Sequence, residues 1–463
     1  MTENAAEVLP AGWVEKAIGD VCEHKIAQGE PADTPVPYID IGSLDRGRKV
    51  IGETSKVTRQ DAPTRARQWV RTGDVLVSMT RPNLNAVASV PPSMDGAVAS
   101  TGFDVLRATD EVKSGWLFAR VQSRDFVEDM CRELQGVVYP AIRPKDVRRH
   151  RLPIPPLDEQ DRIVASVESL LSRLNAATDT LERVRRNLSR YRASVLLAAV
   201  NGKLVPSEAE LARAEGRKYE TASELLTRVV VERRVRWEAS GTGGTYKEPV
   251  APEVNALPAL PEGWCWGTLD QLLTESLTNG RSVPTAMTGF PVLRLTALKD
   301  DGVALSEFKI GDWTADDAAK FLVKRGDFLV ARGNGSIRRV GRGALVPRVA
   351  VPVAYPDTLI RVRVSRSAML PRFLAILWNS DAIRAHIERA AKTTAGIFKV
   401  NQGDLARIPL PIAPVPEQHR LLAEIERRLT VADTTGASVG RDLARMMGLR
   451  HGVLRSAFRG ELV

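Results

Sequence analysis

At 463 residues, with 43% hydrophobic and 26% charged side chains, the chain has a globular composition and is too long for one ordinary core, which excludes a disordered polymer and a single small module. No run of about 18 apolar residues occurs, and the opening MTENAAEVLP has neither a basic nor an apolar stretch, so membrane and secretory classes are set aside and a cytoplasmic location is expected. A formal net charge of +10 favours a polyanionic partner, while Cys22, Cys131 and Cys265, far apart and without paired spacing, fit a reducing compartment and no structural zinc.

The first element is LPAGW at 9–13. YIDIGSL, from Tyr38, reads as a strand, and RTGDVLVS at 71–78 as a buried strand entered through a Gly-Asp turn. The loop after it, TRPNLN at 80–85, is polar and basic. An amphipathic helix follows through Trp116, Leu117, Val121, Phe126 and Met130. A basic stretch, IRPKDVRRHR at 142–151, then leads into LPIPPLDEQ at 152–160.

Past those prolines, Ile163, Val167, Leu170, Leu174, Ala177, Leu181, Val184, Leu188, Tyr191 and Val195 alternate steps of four and three, the seam of a helix packed along another helix. About 40 residues at ~1.5 Å each predict a spacer of roughly 60 Å. The helix closes on VNGKLV at 200–205. Residues 207–240 are charged and helical, and GTGGTYKEPVAPEVNALPAL, from Gly241, is a flexible linker. Arg233, Arg234 and Arg236 with Trp237 are either a solvated helix face or a contact to DNA or a partner.

The same order then repeats. LPEGW returns at 260–264, a strand candidate VLRLTAL from Val292, KRGDFLVA at 324–331, and a second polar loop, ARGNGSIRRVGR, at 331–342. Phe373, Leu374, Trp378, Ile383 and Ile387 match the first amphipathic helix, and Asp404-Leu405 matches Asp146-Val147. LPIAPVPEQ at 410–418 opens a second long helix along Leu421, Leu422, Ile425, Leu429, Ala432, Val439, Met446 and Val453, closed by FRGELV at 458–463. Collinear echoes with a slowly drifting offset are the signature of a duplication. Gly436, Gly440, Gly448 and Gly452 weaken the second helix, which leaves two readings: close helix approach, or ordering by a partner. Two like helices, each ending a half, are expected to pack antiparallel about a pseudo-two-fold axis.

Motifs for chemistry are missing. There is no G-x-x-x-x-G-K-[ST], no Asn-Pro-Pro or Asp-Pro-Pro tetrapeptide of amino-methyltransferases, and none of His24, His150, His386, His419 and His451 lies in an H-E-x-x-H. Asp158-Glu159 and the Glu-Gln pairs at 159–160 and 417–418 stand at helix starts, where carboxylates suit capping.

Two unlike globular parts, each closed by LPIPPLDEQ or LPIAPVPEQ, a long helix and VNGKLV or FRGELV, resemble the specificity subunit of Type I restriction-modification systems. The likeness covers nearly the whole chain and includes ELLTRVVVERRVRWE and YKEPVAPEVNALPALPEGW in its centre. It implies an α+β fold of two pseudo-symmetric target recognition domains separated by two long antiparallel helices that form a coiled-coil-like spacer. The expected boundaries are a first recognition domain at 1–155, a spacer helix at 156–206, the insertion and linker at 207–259, a second recognition domain at 260–413 and a C-terminal helix at 414–463.

The implied function is sequence-specific reading of an asymmetric bipartite site in double-stranded DNA, by a non-catalytic subunit that scaffolds two modification methyltransferase subunits and the restriction endonuclease/translocase subunits. S-adenosylmethionine, ATP and Mg2+ are expected on those partners and none on this chain, and no membrane is involved. The physics of two unlike heads on a spacer agrees: half-site separation becomes a geometric constant. The alternatives are a cryptic nuclease or methyltransferase, and a helical protein–protein adaptor that reads no DNA.

Candidate DNA contacts are Arg81, Asn83, Asn85, Arg332, Asn334, Arg338 and Arg339 in the two equivalent loops, which carry groups for bidentate base contact or are simply solvated. Lys145, Arg148 and Arg149, and Lys399 with Asn401 and Gln402, are expected either to hold phosphates or to form a charged collar at the domain exit. The helix–helix spacer is assigned to Val167, Leu170, Leu174, Leu181, Val184, Leu188, Ile425 and Leu429.

Overall fold

A computed structural model describes residues 9–134, 140–241, 244–394 and 396–462. Positions 1–8 of the first expected domain, 242–243 of the linker and Val463 of the closing motif lie outside the described residues. The chain forms two compact units, Met1–Arg186 with Ala437–Val463, and Asn187–Gly436.

In the first unit the opening strand Val14–Ala17 pairs antiparallel with Arg151–Ile154, so the segment after LPAGW and the segment before the long helix close the domain together. Inside lie a three-stranded sheet, Phe103–Leu106, Val75–Ser78 and Val87–Ser89, and a four-stranded sheet ordered Ser55–Val57, Val36–Ile39, Val98–Ser100 and Ala66–Trp69. The second unit repeats the plan. Cys265–Thr268 pairs with Pro409–Ile412, and a four-stranded sheet places Phe328–Ala331 between Leu359–Val362 and Gly343–Leu345. Both Gly-Asp strands are buried throughout, as their apolar runs predict. The fold class is therefore α+β in each half.

The amphipathic segment expected as one helix is two in each half. Ser114–Gln122 stops at Ser123, whose hydroxyl accepts the Phe126 N–H at 3.3 Å and so caps Arg124–Arg132. Pro371–Trp378 and Asp381–Ala390 are also separate helices, broken at Asn379 and Ser380, where the Ser380 hydroxyl donates to Leu377 O at 2.6 Å instead of capping the second helix. The apolar stripe continues across the break because both helices rest on the same core.

Two helices dominate the remainder, Leu157–Val200 and Val415–Phe458. Within the first unit Arg450 donates to Asn175 Oδ1 at 3.0 Å, while the residues just past Phe458 lie near the start of the first helix, so the two run antiparallel. Within the second unit Arg192 pairs with Asp433, and Arg420 reaches back to Glu208 at 2.6 Å, again antiparallel. Ile163, Val167 and Leu171 are buried in steps of four, with Leu170 and Leu174 only half-buried. A helix lying on a globular core keeps its own period near 3.6 rather than the 3.5 of a coiled coil, which moves the buried position from 170 to 171. Leu181, Val184, Leu188 and Leu429 are half-buried, Ile425 is buried, and Tyr191 is exposed.

The repeated motifs meet around one tryptophan in each unit. Trp13 donates its indole N–H to Glu159 at 3.1 Å, and Trp264 donates to Glu417 at 2.9 Å. The Glu-Gln carboxylates thus bind a tryptophan, a role that the capping expectation missed. The adjacent amides do the rest: Gln160 accepts the Lys113 N–H and donates to Pro155 O, and Gln418 accepts the Leu370 N–H and donates to Ala368 O and Ala413 O. Gly202 (φ +64°) and Gly460 (φ +71°), in the two closing motifs, take a left-handed turn. A Cβ on Gly202 would stand 2.6 Å from Pro261 and 3.0 Å from Trp264; one on Gly460 would meet Pro10 at 3.0 Å. Each closing motif therefore docks on the opening motif of the unit in which its helix ends.

Candidate nucleic-acid interface

The strands that lead into the expected DNA-reading loops are each pinned by a buried ion pair at the end away from the loop. Gly73 and Gly326 turn with φ +88° and +89°, which aims Asp74 and Asp327 inward. Asp74, 2% exposed, accepts the Arg71 N–H and takes Arg107 in a two-point bond at 2.8 and 2.7 Å. Asp327, 3% exposed, accepts the Lys324 N–H and pairs with Arg363, which also reaches Glu275 at 3.0 Å. Hydrogen bonding to these carboxylates pushes both guanidinium groups above their ordinary values. The Gly-Asp signal thus marks a turn that locks two neighbouring strands at the end opposite each loop.

Beyond the first strand, Arg81 and Asn85 both adopt left-handed backbone (φ +49° and +43°) on either side of the short turn Pro82–Leu84. Such conformations cost non-glycine residues of order 1 kcal/mol or more and are held by their surroundings. Here the Arg81 N–H donates to Pro140 O at 2.9 Å and Asn85 Nδ2 to Gln122 O at 3.4 Å. Arg81 and Asn83 are left exposed, and Asn85 Oδ1 is buried without a partner among the described residues. Asn83 and Asn85 line a groove of about 970 Å³ with Lys49, Arg124, Arg450 and His451. Lys49, hydrogen-bonded to Asn85 O, is pushed down to about 8 by burial and by Arg450 and Arg46.

In the second unit the loop is braced from behind. Trp378 donates to Gly341 O at 2.8 Å, and buried Arg384 donates to Val340 O at 2.7 Å and to Ile337 O at 3.3 Å. With its carbonyls held inward, the loop turns Arg338 and Arg339 out to solvent. Arg332, Asn334 and Lys399 line one cavity of about 450 Å³, because Gly333–Asn334 pairs as a strand with Ile397–Lys399. No sequence signal linked position 334 to 398.

The domain-exit residues divide. Lys145 is exposed. Arg148, expected to hold phosphate, is turned inward: it donates to Asp104 at 3.0 Å and to Glu23 O at 2.9 Å, and so ties the exit to the sheet. Arg149 pairs with Glu133, Asn401 caps the helix Gln402–Ala406 by accepting the Asp404 N–H at 2.8 Å, and Gln402 donates to Asn279. In the insertion, Arg233 is bonded to Asp270, and Arg234 pairs with Glu248 over the Tyr246 ring.

All three cysteines are free thiols, and burial pushes Cys22 up to about 12 and Cys265 up to about 11. Among the described residues, no helix is long and apolar enough to cross a membrane. None of their His, Cys, Asp and Glu side chains gather in threes to hold a metal ion.

Residues 10–185 match the Type I restriction modification DNA specificity domain. The chain is 24% identical over 470 residues to the Type I restriction enzyme EcoKI specificity subunit of Escherichia coli K12, spanning 99% of this chain and 91% of that protein. Two solved structures share the fold. One is a chain from a study of complex assembly and conformational transition in the type I R-M system (TM-score 0.68, 22% identity, 98% and 99% of the two chains). The other is the HsdS subunit of Thermoanaerobacter tengcongensis (TM-score 0.53, 23% identity, 99% of each). The matched domain, the chain-long similarity and the shared fold make this chain similar along nearly its whole length to Type I restriction-modification specificity subunits.

Proposed function

We propose that this chain reads an asymmetric bipartite sequence in double-stranded DNA, each recognition domain taking one half-site, and directs the chemistry of partner subunits to it. The observation that carries the reading is a shared scaffold with unlike loops: both units launch a polar loop from a buried strand locked at its start by an Arg–Asp pair, but one loop presents Arg81 and Asn83 and the other Arg332, Asn334, Arg338 and Arg339. Equal scaffolds orient the loops alike, while different side chains meet different base edges. Lys145 and Lys399 supply phosphate contacts in this reading, and Arg148 keeps its internal role.

The chain itself is non-catalytic in this reading and works in the cytoplasm. Methyl transfer belongs to two modification methyltransferase subunits using S-adenosylmethionine, and cleavage to endonuclease/translocase subunits using ATP and Mg2+. The test is a genome-wide map of methylated bases with and without this gene. Loss of one bipartite asymmetric motif supports the reading; an unchanged map in a strain whose methyltransferase partner is expressed and active overturns it. Purified chain alone is expected to transfer no methyl group from labelled S-adenosylmethionine to DNA carrying that motif.

A further inference from the structure

The second unit holds a small sheet that the candidate loop only borders. Lys392–Thr394 pairs antiparallel with Ile397–Lys399, which pairs in turn with Gly333–Asn334. The register sets Lys392 directly across from Lys399, and Lys399 directly across from Gly333. Side chains opposite one another stand about 4.5–5.5 Å apart at Cβ and share a face, so two ammonium groups are held side by side there. Alternation along the strand adds Ile397 to the same face and turns Phe398 to the other, where it packs on the core.

Like charges directly opposite destabilise a strand pair. Elsewhere in this protein cations are commonly matched: Arg107, Arg363 and Arg420 each find a carboxylate. Lys392 and Lys399 are both exposed, and beyond their strand pairing neither side chain has a hydrogen bond or ion pair among the described residues. Among the described residues the only carboxylate lining the adjoining 450 Å³ cavity is Asp357, and it makes no ion pair with either lysine. Gly333 leaves the floor beside Lys399 without a side chain; a Cβ there would be in ordinary contact with Lys399 Cγ at 3.4 Å. Ile397 stays 45% exposed next to them. A repulsive pair, a bare floor and an exposed apolar neighbour together describe a seat for an anion attached to something flat.

We propose that Lys392 and Lys399 form a two-lysine seat for a backbone phosphate of the DNA duplex, which sets the depth and register of the second recognition domain. This rests on the DNA-reading function proposed above, which gives Lys399 a phosphate contact, and adds Lys392 and the pairing of the two. Lysine suits the task as a pair of mobile point charges, which hold a phosphate without reading sequence. The seat positions the domain, and base discrimination falls to the loop at 332–339.

The test uses the full chain in complex with its methyltransferase partners, a duplex carrying the mapped motif and a mixed-sequence duplex. The Lys392→Ala/Lys399→Ala protein is expected to bind both duplexes several-fold more weakly, with the slope of log K against log salt reduced by about 1 and the methylated motif unchanged. Lys392→Arg/Lys399→Arg is expected to restore affinity, which separates lost charge from lost folding. An unchanged salt slope with intact binding overturns the seat and leaves the DNA reading standing. A motif altered at one base position overturns the phosphate assignment in favour of base contact. Failure of the wild-type complex to prefer the motif duplex would sink the DNA reading itself.

Discussion

Trp13 hydrogen-bonds Glu159 at 3.1 Å, and Trp264 hydrogen-bonds Glu417 at 2.9 Å, so one bond made twice joins the opening of each domain to the helix that leaves it. Glu417 is fully buried, is pushed up by burial, and among the described residues has one other donor, the Glu208 N–H at 2.8 Å. Glu159 is half-buried and has water at hand. Trp264→Phe is therefore expected to cost about 1–3 kcal/mol and Trp13→Phe closer to ~1 kcal/mol. Denaturant melts of the two variants check the order; equal losses would contradict it.

Asp74 and Asp327 should be as sensitive as core residues. Asp74→Ala leaves Arg107 buried with Glu23 at 3.5 Å as its one carboxylate among the described residues and Trp69 O at 3.4 Å, and a loss of roughly 3–5 kcal/mol is expected. Removing both partners of the pair should cost less than the sum of the single changes, which a double-mutant cycle reads directly.

The glycines of the second helix do not serve close packing. A Cβ at Gly440, Gly448 or Gly452 would meet nothing within 4 Å, and at Gly436 only ordinary contacts at 3.6 Å and beyond. Gly440→Ala and Gly448→Ala are expected to stabilise the chain by up to about 1 kcal/mol each through helix propensity. A lowered thermal midpoint in either variant would mean that the position needs glycine after all.

Arg338 and Arg339 stand clear of the carbonyls that Trp378 and Arg384 hold. Arg338→Ala/Arg339→Ala is expected to leave the melting transition within about 0.5 kcal/mol of wild type, as surface changes do, while weakening DNA binding. Unchanged affinity across a salt titration would remove this loop from the interface.

His150 links stability to pH. Its Nδ1 bonds Asp129 at 2.7 Å and its Nε2 accepts from Arg120 at 3.0 Å, which requires the neutral ring. Burial and the Arg120 charge push it down to about 4, against the opposing pull of Asp129 and Asp125. Between pH 4 and the ordinary value of 6.5 the unfolded chain binds the extra proton, so stability rises with pH there and is lost on acidification. The loss is roughly 1.4 kcal/mol per pH unit across that window. His150→Gln should flatten this part of the profile, seen by chemical denaturation from pH 7 to 4; an unaltered slope would assign the acid loss to other groups.

The order of motifs in the sequence by itself determined the duplication, the two α+β halves and the two long helices, because apolar periodicity and turn residues act over neighbouring positions. The Gly-Asp strands and the helix after each Pro-rich exit were legible for that reason. Tertiary structure alone decided which side chain each polar group meets. Arg148 and Lys145 look alike in IRPKDVRRHR, yet one is spent on Asp104 and the other is exposed. Glu159 and Glu417 read as helix-start carboxylates until folding brings tryptophans to them from far along the chain. Lys392 and Lys399 become a pair only through strand register, and Leu171 displaces Leu170 only because a domain lies on that side of the helix. Hydrogen bonds and ion pairs act over a few ångströms, and the contacts that bring distant segments within that range are set by the packed core rather than by local pattern.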